Sequence, residues 1–288
     1  TIRQDPSDIQ GFVPTPAMLS GDFTAFASAA CNAGRATTLR APFANNRIDP
    51  AVFSKAALAI AAKLPASSDP CGKVIYGNPS RPNQHMGVGK IDYQRSASHS
   101  IFGRYVIDSL KDPAPYDLNS NLLSANINGS DGLNQAFTLG DTYLFGPNVV
   151  NALRLTADRS ATVRTAGETF TFADVGVKMY SYVPKLMKLA VTGGIAQAQS
   201  RGPTKSAIFA ITDDVSWVRG THQIAFGATA GRWDTNWYSC FYCGGIATFN
   251  GQVTGLGYAD FLTGTAITFS QAPLEIHTGY QLYLGPYA

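Results

Sequence analysis

The chain has 288 residues, enough for one large domain or two ordinary ones. Only 14% are charged, the net charge is +3, and Lys and Arg never form a run, so a nucleic-acid footprint is excluded. No stretch approaches the ~18 consecutive apolar residues that a spanning helix needs, while 28 Gly, 16 Phe and 13 Tyr suit a membrane β-barrel or a secreted β protein.

Residues 1–83 do not read as strands. Pro, Ala, Ser and Asn dominate, and one helix is predicted over 50–64, with Asp49 able to cap it, Pro50 suited to its first position and Pro65 ending it. Phe53, Ala57, Ile60 and Leu64 recur at helical spacing and form a packing stripe. Cys31 and Cys71 flank this helix and are expected to be disulfide-bonded, stapling a segment with a weak core of its own. The even cysteine count, with no zinc-type spacing, fits an oxidising compartment. Cys240 and Cys243 form a C-x-x-C without the βαβ setting of a redox motif, and read as a small loop-tip disulfide or as two free thiols.

From Gln84 the pattern changes to strict alternation. Gly87, Gly89, Ile91 and Tyr93 share one predicted face, with Met86, Val88, Lys90 and Asp92 opposite. Ile101, Gly103, Tyr105 and Ile107 oppose Phe102, Arg104, Val106 and Asp108. Leu153, Leu155 and Ala157 oppose Arg154, Thr156 and Asp158, and Ile224, Phe226 and Ala228 oppose Gln223, Ala225, Gly227 and Thr229. Three antiparallel hairpins are predicted at 84–110, 135–159 and 207–233, with short turns at 94–98, 146–148 and 219–221. Long loops cover 109–134, 160–206 and 234–257. A strand near 189–192, a helical turn at 258–262 and a last strand at 277–284 bring the strands to about eight. Alternation alone fits a soluble sandwich as well as a barrel with lipid outside and water inside. The short-turn, long-loop asymmetry is that of a transmembrane barrel.

Catalytic constellations are lacking. His85, His99, His222 and His277 are dispersed without metal-ligand spacing, no G-x-S-x-G elbow occurs, and Gly87-Val88-Gly89-Lys90 lacks the full phosphate-loop spacing. Asp213 and Asp214 are neighbours on a strand and point to opposite faces. Neither an enzyme activity nor a cofactor nor a metal is expected.

Eight motifs in order carry a family resemblance. They are Val13-Pro14-Thr15-Pro16 with Gly21-Asp22-Phe23; Asn46-Arg47-Ile48-Asp49-Pro50; Lys90-Ile91-Asp92-Tyr93; Phe102-Gly103-Arg104-Tyr105; Phe145-Gly146-Pro147-Asn148-Val149-Val150-Asn151; Trp217-x-x-Gly220-x-His222 with Phe226-Gly227; Thr248-Phe249-Asn250-Gly251; and Ala259-Asp260-Phe261-Leu262-x-Gly264. Together they resemble the barrel of the Oar-like TonB-dependent outer-membrane receptors.

The resemblance implies an all-β, antiparallel transmembrane barrel over 84–288, and a 1–83 loop region outside the cell with the 50–64 helix. It implies residence in the outer membrane of a Gram-negative bacterium, contact with outer-membrane lipid, and a TonB-type energy-coupling protein as partner. The function implied is binding and energy-coupled import of a scarce ligand. Such receptors have a plug inside a barrel of about 22 strands, so the chain reads as a fragment whose plug, remaining strands and export leader lie elsewhere. Ile91, Tyr105, Leu153, Leu155, Ile224 and Phe226 are expected on the convex lipid side, and Lys90, Arg104, Arg154 and Asp158 on the concave side. The alternative is a secreted or surface-anchored β-rich binding or adhesion module.

Overall fold

The computed structural model describes residues 8–288; residues 1–7, the start of the expected 1–83 region, lie outside the described residues. β1 (Asp8–Phe12) pairs antiparallel with β2 (Lys73–Gly77). Between them run α1 (Pro16–Leu19), capped by the Thr15 hydroxyl, and α2 (Lys55–Ala61), capped by Ser54. The helix expected over 50–64 is therefore split. Asp49 does accept from the Ala51 amide, but it starts only a 3-10 turn, Pro50–Val52. Phe53 then turns extended, at φ −65° and ψ 144°, which buries its ring. The Ser54 amide donates to Leu262 O at 2.8 Å, a tertiary bond that a continuous helix would forbid. The second helix ends at Ala61, before Pro65 can act.

Alternation builds one large sheet. It comprises β3 (Asn83–Ser96), β4 (His99–Asp112), β5 (Gly129–Phe145), β6 (Val149–Thr165), β8 (Gly202–Arg219), β9 (His222–Ser239) and β12 (Glu275–Tyr287). The seven strands are antiparallel in the order β12-β9-β8-β6-β5-β4-β3, leaving β3 and β12 as open edges. The three predicted hairpins are its backbone, closed by tight turns at which Gly146 and Gly220 take φ of +70° and +62°. That left-handed region costs glycine little. The strands run 13 to 18 residues, against the roughly 9–11 that cross a bilayer.

The eighth expected strand forms but lies elsewhere. β7 (Lys188–Val191) pairs in parallel with β10 (Ile246–Phe249), which pairs with β11 (Thr268–Ser270) in a separate three-stranded sheet. This small sheet belongs to a cap. Segments 8–82, 113–128, 166–201 and 240–274 all leave the same end of the large sheet, opposite the tight turns, and share one core. Val13, Phe23, Leu122, Phe172, Leu189 and Phe261 pack within it. The 113–128 segment contributes α3 (Pro115–Asn119), and the last contributes α4 (Gly257–Thr263). The motifs at 248–251 and 259–264 thus lie in the cap and not in barrel strands. Residues 257–262 are all buried, a run that a strand with one wet face cannot have. Region 1–83 is likewise one of four co-folded pieces of the cap.

Cys31 and Cys71 are bonded, with Cα atoms 5.2 Å apart, and Cys240 is bonded to Cys243.

Candidate functional site

The register sorts side chains onto two unlike faces, because residues directly opposite on antiparallel strands share a face. On the first, Tyr105 lies opposite Phe137, Leu139 opposite Leu155, Leu155 opposite Ile211, and Val215 opposite Phe226. Ile91, Leu153 and Ile224 fall on the same face. These apolar side chains are not covered; Ile91 is 77% exposed and Leu284 75%. Polar groups bound the belt on both sides. Toward the turns, His99 Nε2 meets Asp141 Oδ2 at 2.6 Å, and Asn151 Nδ2 donates to Asp213 Oδ1 at 2.6 Å. Toward the cap, Gln135 Nε2 donates to Tyr105 OH at 2.6 Å, and Gln135 Oε1 accepts from Arg159 Nη1 at 3.3 Å.

From Asn151 to Arg159 the belt runs roughly 27 Å along the strand at about 3.4 Å per residue. At a tilt of about 40° that is ~20 Å of height, close to the ~25 Å apolar band of an outer-membrane barrel. The same interval separates Asp213 from Lys205 on β8. Tyr143 and Phe145 pack at 4.6 Å near the turn-side border, where Trp217 also lies, and Arg232 sits over Tyr280 on the cap side. Aromatic girdles at both borders mark membrane interfaces.

The second face is the more polar one, with Met86, Val88, Ile208 and Trp233 exposed among its polar groups. Lys90 and Asp92 pair at 2.6 Å, and Gln84 Nε2 donates to Asp108 Oδ1 at 2.8 Å. Ser160 Oγ donates to Asn134 Oδ1 at 2.7 Å, and the Thr212 and Thr229 hydroxyls share a bond of 3.0 Å. Asp214 accepts from Arg154 Nη1 at 3.3 Å and from the Tyr287 hydroxyl. Arg104 and Asp158 complete this wall. Lys90, Arg104, Arg154 and Asp158 thus share one face, opposite Ile91, Tyr105, Leu153, Leu155, Ile224 and Phe226. Asp213 and Asp214 point to opposite faces and have separate partners. The cross-strand links His99–Asp141 and Arg154–Asp214–Tyr287 are invisible to a linear reading, since they depend on register.

Asp260, which is buried, and Arg40, which is exposed, hold one turn of the cap from its two sides. Asp260 accepts from the amides of Gly251 and Thr254, each at 2.8 Å, and from Thr254 Oγ1 at 2.6 Å. Arg40 reaches the same turn from the other side, donating to the carbonyls of Gly251, Gln252 and Val253. Lys188 is different. It is 1% exposed, its Nζ has no hydrogen-bond partner among the described residues, and it lies 3.3 Å from the centroid of the Phe241 ring between Cys240 and Cys243.

Burial pushes Lys188 down to about 8 from an ordinary 10.5. The unfolded chain therefore holds more protons between these values, and the stability of the cap rises with pH across that window. Below it the buried charge costs about 3 kcal/mol, of which the ring recovers part. K188M should thus raise cap stability by about 2 kcal/mol at pH 7 and remove the rise between pH 8 and 10.5. Urea titrations of both proteins at pH 7 and pH 10 measure it.

A family model described as "Outer membrane beta barrel domain" matches residues 1–288. No curated protein and no solved structure matches the chain. Among the described residues no helix is long and apolar enough to cross a membrane, which does not bear on crossing by strands.

Proposed function

We propose, from the premise that this chain belongs to the outer membrane β-barrel domain family, that it is the strand-bearing and cap-bearing part of an Oar-like TonB-dependent receptor. In this reading the receptor captures a scarce ligand at the cap and passes it along the polar wall by gated, energy-coupled transport, without bond chemistry. The observation that carries it is the joining of a two-faced sheet to a cap built at one end from every long connection. The polar face supplies a water-compatible path, the apolar face meets outer-membrane lipid, and the cap supplies recognition surface outside the cell. The eight ordered motifs point to the receptor family. A secreted or surface-anchored module does not account for the belt, since water gives no reason to keep Leu155, Ile211 and Phe226 uncovered on interior strands of the sheet.

Genetic epistasis tests the reading. A strain lacking the receptor gene and a strain lacking its TonB-type energy-coupling protein should fail on the same limiting nutrient, with no further loss in the double deletion. Additive defects, or unimpaired growth of the receptor deletion on every scarce nutrient tried, would contradict it.

The facing of the sheet has its own test. Leu155 lies in the middle of the apolar belt, and Thr156 lies beside it on the polar face. L155R should destabilise the membrane-folded protein by about 2–4 kcal/mol, while T156R should cost under about 1 kcal/mol. Equilibrium folding into lipid vesicles measures both.

A further inference from the structure

Lys188 carries a charge that the segments packed around it leave unanswered. Its Nζ is buried and has no hydrogen-bond partner among the described residues, and burial alone shifts its titration, with no carboxylate opposing the shift. The acids of the 113–128, 166–201 and 240–274 segments are Asp117, Glu168, Asp174 and Asp260, and each is engaged elsewhere. Glu168 takes Lys185 at 2.6 Å, and its amide donates to Asp117 at 3.2 Å. Asp174 takes the Thr171 amide and hydroxyl at 2.8 Å, and Asp260 is held in its own turn. Replacing a buried charge of this kind by an apolar side chain stabilises a fold, so packing gives no reason for a lysine here.

The amine is one aromatic ring away from solvent. Phe241 lies over it and is itself exposed, on a loop that the Cys240–Cys243 bridge closes. Tyr242, also exposed, meets Phe241 edge to face at 4.9 Å. The Gln271 amide ties this loop to a second segment, donating to Cys243 O at 3.3 Å and to Tyr180 O at 3.1 Å, and the Tyr180 ring is exposed as well. Cys240 further lines an open cleft of about 780 Å³. The charged residues of that cleft, Arg164 and Arg201 with Asp117 and Glu168, balance, so the cleft by itself selects no anion. Exposed rings around a covered ammonium match a planar ring that bears one negative group. A single ammonium neutralises a carboxylate, whereas a phosphate dianion would leave buried charge uncompensated.

We propose that Lys188 is the anion-binding residue of a cap site for an aromatic carboxylate. Phe241 swings off the amine, the carboxylate takes its place at Nζ, and the ligand ring packs with Phe241, Tyr242 and Tyr180. The exchange replaces a cation–π contact with a charge-assisted hydrogen bond and gives the buried charge its partner. The assignment rests on the reading of the cap as the element that captures ligand, and it names the class of that ligand.

Isothermal titration calorimetry on the full-length receptor in mild detergent at neutral pH compares 4-hydroxybenzoate, 4-hydroxybenzamide and phenyl phosphate, each corrected for empty micelles. Wild type should bind the benzoate roughly tenfold more tightly than either of the others. K188M should bind acid and amide alike, and K178M, which removes an exposed cation of the same segment, should keep the preference. The lid has its own readout. Acetylation of Lys188 by acetic anhydride, followed by peptide mass spectrometry, should rise severalfold in F241A and fall in wild type when 4-hydroxybenzoate is present. No preference in wild type, a preference that survives in K188M, or tighter binding of phenyl phosphate would overturn the site. Unchanged acetylation in F241A would overturn the lid, and the mode of binding with it. If K188M fails to fold, protection of Lys188 from acetylation in wild type decides. Neither readout needs transport. Import that fails while the preference persists would contradict the receptor reading alone, and import without the preference would contradict the site alone.

Discussion

D260A should unfold the cap at about 4 kcal/mol less free energy than wild type, while leaving the large sheet in place. Asp260 is 0% exposed, and its carboxylate takes the Gly251 and Thr254 amides and the Thr254 hydroxyl within 2.8 Å. Removing it strands three buried donors, each worth about 1–3 kcal/mol when left unmade. The effect reaches further than the turn. The carbonyls of the same turn hold Arg40, which lies more than 200 residues away in sequence, and the Tyr258 hydroxyl two positions before Asp260 donates to Phe12 O at 2.5 Å. Asp260 therefore anchors the joint between the 8–82 and 240–274 segments. D260N keeps the shape and one acceptor oxygen, and about half of the loss is expected. Urea titration followed by limited proteolysis measures it, with cleavage of 8–82 appearing at lower denaturant. An unchanged midpoint in D260A would contradict this role.

C31S/C71S should lower cap stability by a similar amount. The bridge joins residues 40 apart in sequence. In the chain-entropy model, opening a loop of that length gives the unfolded state about 4 kcal/mol. The segment between the cysteines holds α2 and much of the core, including Phe43, Phe53 and Ile60, so its anchoring governs the whole cap. Reductant should reproduce most of the loss in wild type and add little to the double variant. Equal midpoints of wild type and C31S/C71S would assign the anchoring to packing alone.

The strands were legible for a physical reason. A sheet between lipid and water needs opposite polarity at every other residue, so Lys90 beside Ile91 and Arg154 beside Leu155 announce the faces directly. The strand ends were less legible. Beyond Lys205 and Asn236 the sheet approaches the cap, both faces become mixed, and the contrast that marks a strand fades. The cap was scarcely legible. Its core is assembled from four segments, and contacts such as Tyr258 with Phe12, or Ser54 with Leu262, leave no periodic trace in either segment. Phe53 illustrates the cost. Its helical spacing with Ala57 and Ile60 is genuine, yet its ring enters the core only because the backbone breaks at that residue. Lys188 is the converse, a cation inside a run that reads as a plain apolar strand, buried because the Phe241 loop closes over it.

The account turns on which face of the sheet meets lipid. Single cysteines at Ile91, Leu155, Ile211 and Phe226, and at Thr138, Thr156, Ala210 and Ala225, can each carry a nitroxide in the protein reconstituted in lipid bilayers. Power-saturation EPR then compares collisions with oxygen, which concentrates in lipid, and with a polar nickel chelate, which remains in water. The first four labels should be accessible to oxygen and shielded from nickel, and the second four should show the opposite, alternating residue by residue from Leu155 to Thr156 and from Ala210 to Ile211. Nickel accessibility at the first four sites equal to that at the second four would contradict a membrane-spanning sheet and return the protein to the aqueous phase.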